Sequence, residues 1–267
     1  MAIAVASMSL CAPTAQAQDA GPQSVAPQNP APQAVVPQDA VPQDAGPQAA
    51  LPPHPPPPPS FLLFSGTDLW RYGAFLNGGV VWSLDGLDAS GFVVKTLISS
   101  GVYNYVSQGL HTTVDAAMVS ASVMPGWHFG VGSFSMNLYA GPVFQDYWLK
   151  PNDPGSRLHG AYAGAQFATD VWYQPNPATM MAFSGTITSI ALTGSLRAAL
   201  GYRLFEAAFV GPEVRELVTG NYREYDFGAH VTAFRTGDFE WSGGSGVALT
   251  TDHRIGPYLR VNVNRRF

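Results

Sequence analysis

Charge is scarce in this chain: only 12% of its 267 residues are Asp, Glu, Lys or Arg, and the balance is −5 with a pI near 5.6. Nucleic acid as a partner is excluded, because it demands a basic footprint that displaces condensed counterions. Long hydrophobic runs are missing as well. No stretch of ~18 apolar residues occurs, so a membrane-spanning helix is excluded. A mean hydropathy of +0.04 is far too low for a bundle of such helices. Cysteine is nearly absent: the single Cys11 lies in a segment expected to be removed. The mature chain is then expected to contain no disulfide even in an oxidising compartment. Nor is there a phosphate loop, a His/Cys cluster at metal-ligand spacing or a dinucleotide fingerprint, so neither a metal nor a cofactor is called for. The segment GVGSF at Gly130 to Phe134 reads as a two-glycine turn between strands.

What is present is a period of two. The chain ends Y-L-R-V-N-V-N-R-R-F from Tyr258, with Leu259, Val261, Val263 and Phe267 on one face and Arg260, Asn262, Asn264 and Arg266 on the other. Alternation of this kind belongs to an extended strand with one apolar and one wet side. A strand ending on a terminal aromatic is the usual close of a bacterial outer-membrane barrel. The bulk numbers agree: 46% hydrophobic residues averaged against polar lumen positions, 12% aromatics for interface girdles and 28 glycines for tight turns.

From Phe61 to Phe267 the pattern predicts about twelve strands, over 61–67, 72–83, 91–106, 113–128, 133–148, 158–174, 178–187, 193–204, 207–218, 221–235, 238–250 and 256–267. The fold class expected is all-β, a transmembrane antiparallel up-and-down barrel. Closing the sheet satisfies every backbone group in lipid, which an open edge does not. In 221–235, Tyr225, Phe227, Ala229, Val231 and Ala233 face one way, while Glu224, Asp226, His230 and Thr232 face the other. In 193–204, Leu196, Ala198, Leu200, Tyr202 and Leu204 oppose Arg197 and Arg203. A charge set against lipid at midplane costs about 2–4 kcal/mol, so the charged faces must look inward. The expected lumen residues are Arg197, Arg203, Glu213, Arg215, Glu224, Asp226, Glu240 and Arg260. They compose either a salt-bridged plug or a polar conduit.

Upstream, residues 1–17 read as an apolar stretch ending in Ala15-Gln16-Ala17, a small-residue cleavage site. It lacks a basic n-region, so a start further upstream is expected. A lipid anchor on Cys11 is the rival reading, opposed by the large Leu10 before it. Residues 18–60 are low complexity, with Pro-Gln dipeptides at Pro22, Pro27, Pro32, Pro37, Pro42 and Pro47 and a proline run from Pro52 to Pro59 broken by His54. Such a tract cannot join a ladder and favours polyproline II. It reads as a periplasmic spacer, and also as an arm reaching toward peptidoglycan or an inner-membrane partner.

The alternate connections, near 68–71, 107–112, 149–157, 188–192, 219–221 and 251–255, should face outside, and none is long enough for the constriction loop of a large porin. Histidines 111, 159 and 253 fall near these loops, with Ser107, Ser156 and Asp252 close in sequence, but their spacing matches no catalytic motif. Asn152 and Asp153 in the loop from Lys150 to Arg157 offer too few ligands for calcium and read as a rigid turn. Trp148, Trp172 and Tyr173, at strand ends, read as interface girdle.

Four segments carry a family likeness. FSGTDLWRYGAF-LNGGVVWSLDGLDASGF, PNDPGSRLHG, DVWYQPNPATMMA and FVGPEV resemble the cellulose biosynthesis protein BcsS family of alphaproteobacteria, over roughly 61–267. They lie in turns and strand ends, and none is catalytic. The resemblance implies a non-enzymatic outer-membrane accessory of cellulose production, with lipid, cellulose and the cellulose synthase and export machinery as its partners. Should an uncharged, flat glucan meet the lumen, aromatic platforms would serve it best, and Tyr103, Tyr139 and Tyr162 are the stacking candidates. Alternatives from other classes are a narrow nonspecific solute channel and a purely structural envelope barrel.

Overall fold

A computed structural model describes residues 58–107, 109–219, 222–250 and 254–267. The signal-segment expectation and nearly all of the Pro/Gln tract fall outside these residues. Twelve strands follow in order: β1 Phe61–Trp70, β2 Gly73–Ser83, β3 Gly91–Ser107, β4 Thr112–Val131, β5 Phe134–Lys150, β6 Gly160–Asn176, β7 Thr179–Thr188, β8 Gly194–Leu204, β9 Ala208–Thr219, β10 Tyr222–Thr236, β11 Phe239–Thr250 and β12 Ile255–Arg266. Each pairs antiparallel with its neighbours in the chain, and β1 closes on β12 from Leu62 opposite Arg266 to Trp70 opposite Tyr258. The ladder is completed at the seam, where Phe267 N–H donates to Phe61 O at 2.8 Å and Ser60 N–H to Phe267 O at 2.8 Å.

Closure makes the period of two physical. Along β8, Leu196, Leu200, Tyr202 and Leu204 are exposed on the outside, while Arg197 and Ala199 are buried inside. The same division runs around the barrel, and exposed Ile98, Val102, Phe144, Phe167, Ile187 and Val214 belong to the outer wall. A continuous apolar exterior on a closed sheet is what lipid selects. With strands ~4.8 Å apart and tilted by roughly 40°, the cylinder is roughly 24 Å across between backbones.

Connections on the side of the termini are mostly tight. Residues 132–133 and 237–238 are two-residue turns, and Gly132 and Gly237 take the left-handed conformation (φ 57° and 58°) that such hairpins favour. The last residues of the proline tract are tied to this rim, with Leu87 N–H donating to Pro59 O at 2.9 Å and Ser83 N–H to Ser60 O at 2.9 Å.

Three expectations need correction. Ala233 does not continue the lipid face: the register of β10 on β11 shifts between Val231 and Phe234, and Ala233 has φ 62°. This bulge adds one residue, so Ala233 turns inward against the cluster formed by Trp172, Met180, Ala182, Ala199 and Phe209, while Phe234 takes the outer position. Trp172 is not a girdle residue but is 1% exposed inside the barrel, edge-on to Phe209 at 5.8 Å; Trp148 and Tyr173 do lie exposed outside. The connection expected near 149–157, read as too short for a constriction loop or an elaborate cap, runs over 151–159 and folds into the mouth, burying Asp153 and Leu158.

Candidate functional site: a filled lumen

The barrel interior is closed by packed side chains at the mouth opposite the termini, charged in its middle, and at the terminus-bearing end holds two apolar clusters beside a cavity of about 190 Å³. At the mouth opposite the termini, Phe75, Tyr103, Tyr105, Tyr147 and Leu217 pack against Leu158 and Ile190 from two loops. Tyr103 stacks on Phe75 at 6.0 Å and on Tyr105 at 6.3 Å. Tyr105 donates its hydroxyl to Asp153 Oδ2 at 3.0 Å, and Gly155 N–H reaches Asp153 Oδ1 at 3.0 Å, so the loop is pinned to the wall. Burial opposes ionisation of Asp153, but hydrogen bonds from Ser107, Tyr105 and Gly155 outweigh it and hold its carboxyl below the usual range. Two apolar clusters occupy the terminus-bearing end, one around Leu62, Phe64, Met124 and Tyr139 and one around Trp172, Met180 and Phe209.

Between them lies the charged belt. Glu213 on β9 accepts from Arg197 Nε on β8 at 2.8 Å and from Arg260 Nη2 on β12 at 2.6 Å, through the same Oε2. Its other oxygen accepts from the Tyr258 hydroxyl at 3.0 Å. The carboxylate gains this reach because a Cβ at Gly244 would overlap it. Arg215 sits beside, paired with Asp226, with Glu224 at 3.5 Å and with Asp68 at 3.4 Å. Three strand positions separate β9 from β12, so the Glu213–Arg260 pair runs as a chord across the lumen. Lys95 on β3 and Asp170 on β6 form a second chord, at 3.0 Å.

Six of the eight expected lumen residues, Arg197, Glu213, Arg215, Glu224, Asp226 and Arg260, come together here. Arg203 and Glu240 lie toward the terminus-bearing end, Arg203 over the Phe209 ring at 4.6 Å and Glu240 paired with Arg235 at 3.2 Å. Asp68, Lys95, Asp170 and Tyr258 were missed. Asp68 had been assigned to a turn, whereas β1 runs three residues further to Trp70. Lys95 stands between apolar residues on both faces of β3, and only its parity with Val93 and Leu97 marks it as inward.

The three tyrosines named for glucan stacking do not line one track. Tyr103 and Tyr162 belong to the loop-capped mouth; the Tyr162 hydroxyl donates to Arg157 O at 2.8 Å and accepts from His159 N–H at 3.1 Å. Tyr139 lies at the other end, its ring 5.2 Å from the Lys95 ammonium. Among the described residues, His111 and His159 form no catalytic constellation. His159 Nδ1 lies 3.1 Å from the backbone oxygen of Ser156, whose hydroxyl is engaged with Leu158. His111 is exposed, and His253 and Asp252 fall outside the described residues. Among the described residues no cluster of His, Cys, Asp and Glu could hold a metal ion.

Residues 62–267 match the family described as cellulose biosynthesis protein BcsS. The chain belongs to that family. The match takes in all twelve strands and leaves the Pro/Gln tract outside. No curated protein matches the chain. Solved structures of similar fold include the β domain of the Bordetella autotransporter Brka (14% identity, 79% of this chain and 100% of that one, TM-score 0.47). LpxR from Salmonella typhimurium (12%, 78% and 100%, TM-score 0.45) and the KdgM porin (11%, 77% and 99%, TM-score 0.42) are others.

Proposed function

We propose that this BcsS-family protein is a non-enzymatic outer-membrane barrel that assists the export or surface assembly of cellulose, with residues 18–60 as a periplasmic linker. The observation that carries this reading is the family match over every strand of the barrel. The filled interior supports assistance at the membrane rather than threading of a glucan through the lumen. An extended sugar chain would have to displace both buried ion-pair chords and the loop-capped mouth, and each buried pair it broke would leave uncompensated charge.

Cellulose is the readout that tests the proposal. In a strain lacking the gene, surface-released glucan should fall while synthase activity in isolated membranes stays normal. Equal surface and cell-retained fractions in mutant and wild type would overturn it. The filled lumen also favours, as a second reading, a structural envelope barrel over a narrow solute channel. The purified barrel in planar bilayers is accordingly expected to show no stepwise ion conductance; regular steps would restore the channel.

A further inference from the structure

The rim opposite the termini is stepped. Pairing of β2 with β3 stops at Gly73 opposite Tyr103, whereas β3 runs on to Ser107 and stays paired with β4 as far as Thr112. The β1–β2 turn therefore lies low beside taller strands, and a groove of about 630 Å³ opens there. That volume falls in the ~300–1,000 Å³ range of small-molecule sites.

Two tiers of outward-facing residues line the groove. Ala74, Val102, Ala117 and Trp148 stand opposite one another in register across β2, β3, β4 and β5. Val102 and Trp148 are exposed, so this tier belongs to the lipid-facing wall. The small side chains of Ala74 and Ala117 leave the depression, and Val102 and Trp148 give it apolar sides. Two residues nearer the rim, roughly 7 Å along the strands, Asn104, Asp115 and Lys150 face the same way in the same register. Arg71, in the β1–β2 turn, joins this polar tier as a lining residue.

An apolar tier beneath a polar one, on a wall that lipid covers, matches the division of a lipid into chain and headgroup. Charge narrows the choice. Arg71 and Lys150 set two cations against the one carboxylate of Asp115, and neither cation is ion-paired among the described residues. Basic groups at headgroup depth favour phosphate oxygens through charge-assisted hydrogen bonds. Three strand spacings, roughly 14 Å, separate the backbone at the two cations, so a headgroup fits between them. Free phosphate would leave the apolar tier unused. We propose that this groove binds an anionic, phosphate-bearing lipid of the outer leaflet. Its acyl chain runs along the apolar tier, and its phosphate lies between Arg71 and Lys150. The site rests on the outer-membrane placement of the barrel and is independent of the cellulose reading.

Native mass spectrometry of the full-length protein in detergent, offered diphosphoryl lipid A, phosphatidylglycerol and phosphatidylcholine in equal amounts, tests the site. The two anionic lipids should be retained in preference to phosphatidylcholine. Arg71→Gln and Lys150→Gln each remove one cation and should cut retention about tenfold, the worth of one hydrogen bond to a charged group. Both side chains are exposed, so these variants leave the packed interior intact. Ala117→Phe fills the apolar tier while keeping both cations, and should abolish retention. Arg223→Gln removes a cation outside the groove and should change nothing. Phosphatidylcholine retained as well as the anionic lipids overturns the inference, as does retention undiminished in all three groove variants. Release of the lipid by inorganic phosphate at equal concentration overturns it too, since charge alone would then account for binding. A lipid-free dimer that Ala117→Phe dissociates would assign the groove to a second copy of the chain and likewise overturn it.

Discussion

Replacing Glu213 with alanine is expected to lower the stability of the barrel by about 3–5 kcal/mol, the range for breaking a buried ion pair from one side. Glu213 is the shared acceptor for Arg197 and Arg260 and takes the Tyr258 hydroxyl as well. Its loss leaves two guanidinium groups, 8% and 4% exposed, facing each other without a counter-charge. The companion variant carries Arg197→Met, Glu213→Leu and Arg260→Met together. Removing the whole triad removes its desolvation cost along with its attraction, so this barrel should be as stable as the wild type or more so. Urea titration of folding into lipid vesicles measures both. A Glu213→Ala protein that unfolds at wild-type urea would mean that water reaches the belt and that the lumen is not closed there. If the triple variant is stable but fails to restore surface cellulose in the deletion strain, the belt has a role beyond holding the wall together.

The fold was legible because a membrane barrel writes its topology into parity. Each lipid-facing residue must be apolar, so Leu196, Leu200 and Leu204 against Arg197 and Arg203 leave one orientation for β8. Parity also fails in a readable way. At Val231-Thr232-Ala233-Phe234 two successive residues are apolar, and there the bulge turns Ala233 inward. What parity cannot report is how far an inward side chain reaches. Arg260 touches Glu213 three strand positions away, and Lys95 touches Asp170 across an equal gap. These partners are 47 and 75 residues apart in the chain, and nothing local marks them as a pair. Apolar lumen positions hid for the opposite reason. Trp172 at a strand end looks like a girdle residue, and only closure of the barrel shows that its parity matches Asp170 and not Tyr173. The loop-capped mouth was missed because loop length was taken as the measure of a plug. Leu158, an apolar residue in an otherwise polar connection, was the signal that the loop folds inward.

Arginine at Leu200 is expected to destabilise the barrel by about 2–4 kcal/mol, and arginine at Phe205 by about 0–1 kcal/mol, although both positions are exposed in the structure. Leu200 lies in the middle of β8, opposite Met181 of β7, on the outer wall. A guanidinium there must be drawn out of hydrocarbon or neutralised, and the described outer wall around it is apolar. Phe205 stands in the turn after β8, 92% exposed, where an arginine side chain reaches headgroups and water. Solvent exposure alone would make both changes nearly neutral, so the difference between them isolates the lipid term. Urea-dependent folding into vesicles gives that difference directly. Equal stabilities would mean that the outer wall at Leu200 does not face hydrocarbon in the inserted barrel. A difference of the expected size places the edge of the hydrocarbon band between Leu200 and the 205–207 turn.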